Sequence, residues 1–209
     1  MSLELIGFSV SHAGKPMFAP ITLRVAAGGV AVVMGPSGVG KSTLLDGIGG
    51  HLAHGFLAQG RVLIADRDVT ALPAETRRIG VMFQDALLFP HLSVGDNLAF
   101  GLTPTLRGRS QRRAAVEAAL AQAGLAGMYL RDPATLSGGQ RARAALMRTL
   151  LAEPQALLLD EPFSKLDASL RAEMRQFVFD HARARGIAVL MVTHDPEDAT
   201  AAGGIVVEL

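Results

Sequence analysis

Val30-Ala31-Val32-Val33-Met34, followed by Gly35-Pro36-Ser37-Gly38-Val39-Gly40-Lys41-Ser42-Thr43, is the stretch that decides the architecture. Five apolar residues without a polar break read as a strand covered on both faces. Gly35 to Ser42 then match G-x-x-x-x-G-K-[ST] in full. The glycines let the backbone turn until successive N–H groups point at one anion. A helix expected from Lys41 to about Leu52 aims the positive end of its dipole at the same place. In such a loop the Lys41 ammonium reaches the β- and γ-phosphates of a nucleotide, the Ser42 hydroxyl ligates Mg²⁺, and Thr43 is expected to donate to the α-phosphate.

Outward from this loop, Ala156-Leu157-Leu158-Leu159-Asp160-Glu161 is an apolar run ending in two acids. Alone it would be a strand meeting solvent. With the phosphate loop upstream, it is expected to lie beside the phosphate-loop strand, deliver Asp160 to Mg²⁺ and set Glu161 facing the γ-phosphate, where it polarises the attacking water. Leu3–Val10 and Ile21–Val25 alternate apolar and polar residues and predict strands with one wetted face. Arg61–Ala65, Ile79–Phe83, Ile187–Thr193 and Ile205–Leu209 are further strand candidates. Helices are expected over Gln111–Ala123, from Ser137 onward, and over Ala168–Arg185, with Gly124 and Gly127 ending the first. The pattern is a parallel-sheet α/β core interrupted by a largely helical insertion.

Leu136-Ser137-Gly138-Gly139-Gln140 opens the helix that leads to the carboxylate strand. Read locally, it is a serine N-cap followed by two glycines. Placed some twenty residues before Asp160-Glu161, it resembles the LSGGQ signature of the ABC ATPase family, and the resemblance covers essentially the whole chain. It implies an antiparallel β subdomain beside the parallel core, in one ABC ATPase domain over 1–209. The core would be about 1–85 and 149–209, and the helical subdomain about 86–148. It also implies that Ser137, Gly138, Gly139 and Gln140 act in trans, on the γ-phosphate held by a second copy of the chain. Gln84 matches the Q-loop glutamine, which senses Mg²⁺ and the γ-phosphate. Ser164-Lys165-Leu166-Asp167 matches the D-loop, with Asp167 at the dimer interface, and His194 matches the switch histidine. The cofactors implied are ATP and Mg²⁺. One departure concerns adenine: where the family commonly stacks the base on tyrosine, this sequence has His12, a smaller ring. Phe18 is the substitute, unless it belongs to the core.

Composition bounds the rest. The chain has 209 residues, 49% of them apolar, enough for one substantial domain. Its net charge of +1, from 20 basic and 19 acidic residues, gives no reason to expect a nucleic-acid partner. With no cysteine, thiol nucleophiles, disulfides and zinc–cysteine sites are excluded. The longest apolar runs, such as Ile187–Val192, have strand length, so membrane work would fall to a partner. Within the family, Phe83–Val94 resembles the importer pattern after the Q-loop, where a groove grips a helix of the membrane subunit. Phe83–Phe89 and Asp132–Arg143 resemble most the YnjD-like group near the thiamine-importer ATPases. This implies a permease partner with a solute-binding protein, and a peripheral place on the cytoplasmic face of the membrane. A non-transport ABC ATPase of DNA repair or translation is the alternative. The first would insert heptad coiled coils between phosphate loop and signature, and the second would carry two cassettes. The sequence stops at the last strand, without the regulatory domain found in many importer ATPases or the short helical tail common in the family, so a natural and a trimmed C-terminus both stand.

Overall fold

The computed structural model describes all residues, Met1–Leu209. Two sheets share the molecule. The first is antiparallel: β1 (Leu3–His12), the short β2 (Lys15–Pro16), β3 (Ile21–Val25), β5 (Phe56–Ile64) and the short β6 (Arg67–Asp68), with β1 paired to β2, β3 and β5. The second contains β4 (Val30–Met34), β7 (Ile79–Met82), β8 (Ala156–Asp160), β9 (Ala188–Thr193) and β10 (Ile205–Glu208). All its pairings are parallel, in the order β10-β4-β9-β8-β7. The expected α/β class with an antiparallel companion sheet is what the chain forms.

One expectation is corrected. The carboxylate strand β8 is not beside the phosphate-loop strand β4, because β9 lies between them. Asp160 still reaches the loop, since the helix that follows β4, α1 (Lys41–Gly49), leans across to β8: a Cβ on Gly49 would lie 3.8 Å from Leu158.

The central strands are apolar throughout because both faces are covered. Every residue of β9 is buried, and so are the first four of β8. Alternate residues face opposite ways. Val32, Leu157, Leu159, Val189 and Met191 enter a core shared with the helices α2 (Val94–Phe100), α3 (Arg109–Gln122), α4 (Gly138–Leu150) and α5 (Ala168–Ala184). Val33, Leu158, Leu190 and Val192 enter a second core with α1 and the antiparallel sheet.

Element ends follow local chemistry. β1 runs two residues past Val10 because Ser11 and His12 pair with Pro16 and Lys15 across a tight turn. β5 starts at Phe56 rather than Arg61 because it pairs along nearly the whole of β1. α1 stops at Gly49, short of Leu52, where Gly50 takes φ 84° and donates its N–H to Asp46 O. Arg77, 8% exposed, donates to the Gly47 and Ile48 carbonyls left open at that end.

Two seven-residue helices escaped the sequence reading, α2 and α6 (Pro196–Ala202). Each is too short to show a period, although Ser93 caps one and Asp195-Pro196 opens the other. Within α2, Asn97 is fully buried and ties down the preceding loop. Its Nδ2 donates to the Phe89, Leu92 and Ser93 carbonyls, and its Oδ1 accepts from Phe89 N at 2.7 Å. Asn97→Ala is expected to lower stability by about 2–3 kcal/mol, since it strands buried backbone groups. Urea denaturation measures this, and an unchanged midpoint would contradict it.

Candidate functional site

Three neighbouring strands end together. Met34 pairs with Thr193 across β4–β9, and Asp160 pairs with Val192 across β8–β9. Gly35, Glu161 and His194 come next in the chain, so each leaves the sheet at the same edge. Gln84 follows β7 by two residues.

The phosphate loop needs backbone that side chains resist: Gly38 has φ 83° and Gly40 has φ 107°. A Cβ at Gly38 would meet nothing within 4 Å, which leaves an open concavity. The Lys41 side chain, 5% exposed, folds back into it and donates to Gly35 O at 2.8 Å and Pro36 O at 3.0 Å. A cleft of about 230 Å³ opens there, lined by Ser37, Gly38, Gly40, Lys41, Ser42, Thr43, Glu161 and Met17. The cradle fits phosphate oxygens in shape and in charge.

Beside it, Ser42 Oγ donates to Asp160 Oδ1 at 3.2 Å. Burial pushes the Asp160 carboxyl above its ordinary pKa; the Ser42 bond opposes this and neighbouring Glu161 adds to it. Glu161 sits at φ 44°, a left-handed conformation uncommon for a side-chain-bearing residue. That turn sets its Oε1 3.9 Å from Lys41 Nζ and 3.2 Å from His194 Nδ1. Gln84 Nε2 donates to Ser164 Oγ at 3.0 Å, and Ser164 Oγ donates to Glu161 O at 2.9 Å. Ser42, Asp160 and Gln84 are hard oxygen donors, with no cluster of three acids or histidines among them. That set suits Mg²⁺, which takes one or two carboxylates and completes its shell with water and phosphate.

The signature serine and glutamine are a capping box. Gln140 N donates to Ser137 Oγ at 3.2 Å, and Ser137 N donates to Gln140 Oε1 at 3.0 Å. Asp167 caps α5, and a Cβ on Gly139 would strike Leu170 at 2.5 Å, so α4 and α5 start side by side. No hydrogen bond joins Ser137–Gln140 or Asp167 to the phosphate loop of the same chain. Gly138 lines instead a cleft with Gln84, Asp85 and Lys165, the last two paired at 2.5 Å.

His12 is exposed at the end of β1, directly opposite Phe56, and the two rings stack at 4.4 Å and 24°. Phe18 is not a base-stacking substitute. It is 8% exposed, and its ring edge would lie 3.4 Å from a Cβ on Gly40, so it floors the phosphate loop. Sequence reasoning missed three participants. Phe56 and Met17 are lone apolar residues with no pattern to mark them. Ser164 lay inside a recognised motif but carried no assigned role.

A second, larger groove of about 940 Å³ runs along the free edge of β7 to α4. Leu87, Phe89, Phe100 and Arg148 line it. Leu87 is 56% and Phe100 70% exposed, while Phe89 is half-buried, edge-on to Phe100 at 4.8 Å. Leu88, between Leu87 and Phe89, is half-buried and packs against the core instead.

Comparison with known proteins agrees with this geometry. A family model described as "ABC transporter" matches residues 18–164. The chain is 51% identical over 181 residues to the Escherichia coli "Uncharacterized ABC transporter ATP-binding protein YnjD", covering 87% of this chain and 83% of that one. It is 50% identical over 173 residues to the "Thiamine import ATP-binding protein ThiQ" of Cereibacter sphaeroides, covering 83% and 74%. Among solved structures, cbiO1 of Clostridium perfringens, described as part of the ABC transporter complex cbiONQ, superposes with a TM-score of 0.83. Its sequence identity is 27%, over 96% of this chain and 81% of that one. The chain belongs to the ABC transporter family, as an ATP-binding subunit of the importer type.

Proposed function

We propose that two copies of this chain close head-to-tail around two ATP molecules, each held with Mg²⁺, and that the cycle of closure, hydrolysis and reopening drives a separate membrane permease served by a solute-binding protein. The reading is supported above all by the position of Glu161, whose carboxylate lies between the Lys41 ammonium and the His194 ring. Lys41 exchanges the Gly35 and Pro36 carbonyls for phosphate oxygens, and loop N–H groups take the remainder. His12, backed by Phe56, offers a flat platform for adenine. Mg²⁺, held by Ser42, Asp160 and Gln84, would neutralise charge on the phosphates. Glu161 orients the attacking water and accepts its proton, and His194 contacts the γ-phosphate. Ser137, Gly138 and Gly139 of the second copy present the N-terminus of α4 to the same phosphate, with Asp167 at the seam. Catalysis is positioning and charge stabilisation.

The groove at Leu87, Phe89 and Phe100 fits a permease helix. It is apolar and exposed, and its Leu87 lies three residues after Gln84 in the chain, so its shape can follow nucleotide state. The segment 86–148 would be the helical subdomain that swings with it. No helix is long and apolar enough to cross a membrane. The chain would sit peripherally on the cytoplasmic face.

Three outcomes test this. Glu161→Gln should retain ATP, slow hydrolysis about 100-fold or more and accumulate an ATP-bound dimer on gel filtration, whereas Lys41→Ala should lose ATP binding. Near-normal turnover by the glutamine variant would remove Glu161 from its role. Because the signature of one copy completes the site of the other, the rate should rise faster than linearly with protein at low concentration. Strict proportionality down to high dilution would contradict a composite site. Leu87→Asp and Phe100→Asp should leave hydrolysis within about twofold yet abolish co-sedimentation with membranes that contain the permease, as loss of an apolar docking face requires. Retained co-sedimentation would place the docking surface elsewhere.

A further inference from the structure

His194 has one polar partner, Glu161, and its side chain is half exposed. No hydrogen bond from another residue reaches its ring, so its place depends on the backbone that carries it. That backbone is pinned on both sides to α5. On one side, Thr193 Oγ1 donates to Asp198 Oδ2 at 2.9 Å, and Asp198 is held by Arg175 at 2.5 Å. On the other, Asp195 caps α6 through Glu197 N and takes Arg171 Nη1 on its second oxygen at 2.6 Å.

Arg171 does more than hold Asp195. Its Nη2 donates to Leu166 O at 3.1 Å, in the turn that follows Glu161. That turn is closed by Leu166 N to Phe163 O at 3.1 Å and by Ser164 to Glu161 O. The contacts form a ring: Glu161 carboxylate, His194, Asp195, Arg171, Leu166, and back through the turn to Glu161. A planar guanidinium with two donor arms can bridge a carboxylate and a carbonyl at once, whereas an ammonium meets them only as a point charge.

Resting on the proposed roles of Glu161 and His194, we infer that Arg171 is a positioning residue for hydrolysis: it fixes the His194-bearing loop to the turn after Glu161, so that ring and carboxylate keep their register. Arg175, paired with buried Asp198 and also 3.6 Å from Asp195 Oδ2, holds α5 to α6 without it, so loss of Arg171 cuts the bridge from Asp195 to Leu166, loosens the register and leaves the fold intact. The phosphate loop is untouched, and ATP binding should not follow the rate.

The test is steady-state hydrolysis of Mg·ATP by purified chain carrying Arg171→Met, which keeps much of the aliphatic stem, and separately Asp195→Asn, which can still cap α6. Each should lower kcat about 10- to 100-fold while KM stays within about twofold, as expected when catalytic groups are misplaced and binding is not. Arg171→Lys should not restore the full rate. Added to His194→Ala, Arg171→Met should cost little more, because both remove one function. Unchanged kcat in Arg171→Met and Asp195→Asn, a KM that rises with the loss of rate, or a loss that multiplies fully with that of His194→Ala would overturn the inference. A slow His194→Ala beside normal Arg171 variants would overturn it and leave the His194 role standing. Normal hydrolysis by His194→Ala would overturn both.

Discussion

The parallel hydrogen-bond ladder through β4, β9 and β8 is the constraint on which the site depends. Its register brings Met34, Thr193 and Asp160 to one edge within a residue of each other. Three chemically different residues then appear where three strands stop: a glycine that opens the anion loop, an acid and a histidine. None is near another in sequence, and none needs a long side chain to meet the others. Parallel strands place all their C-terminal ends together, so functional groups gather there. The cost is that both faces must be covered, which the helices and the antiparallel sheet do with two separate cores.

Charge at this edge is poorly compensated within the chain. Lys41 is buried, with backbone carbonyls closer to it than the nearest carboxylate, at 3.9 Å. Asp160 is buried enough for its carboxyl to titrate above the ordinary range, with Glu161 next to it. Buried charge without a close partner is expensive, so the arrangement lowers stability in exchange for readiness. An anion at Lys41 and a cation at Asp160 would relieve both costs, which is why ligand binding should stabilise this fold strongly. The left-handed backbone at Glu161 belongs to the same exchange: it stores strain to aim one carboxylate.

Much of this was legible in the sequence because the phosphate loop, the signature and the Asp160-Glu161 pair are each an unbroken run of residues whose chemistry requires that order within the run. The strands Ile21–Val25, Val30–Met34 and Ala156–Asp160 were readable to the residue, since the apolar–polar alternation of the first and the apolar runs of the other two break off where the strands stop. Strand order was not. Nothing local says that β9 inserts between β4 and β8, because that depends on how two helical crossovers pack. Asn97 was invisible for a different reason: its partners are backbone carbonyls and an N–H, which carry no residue identity. The His12–Phe56 stack joins residues 44 positions apart through the register of β1 on β5, and β5 itself was read as starting five residues late.

Arg171 shows how little of an enzyme's geometry is announced by its motifs. It lies four residues beyond Asp167, on the first turn of α5, and its partner Asp195 is 24 residues on. By exposure the pair is an ordinary one, 26% and 21%, of the kind worth only about 0–1 kcal/mol to stability. The neighbouring Arg175–Asp198 pair, 11% and 3% exposed, is the one whose loss the fold would feel. Two arginines one helical turn apart thus serve different ends, the inner one cohesion and the outer one alignment. A pair that contributes little energy can still decide rate, because misplacing a reacting group by a fraction of an ångström changes the barrier without changing the fold.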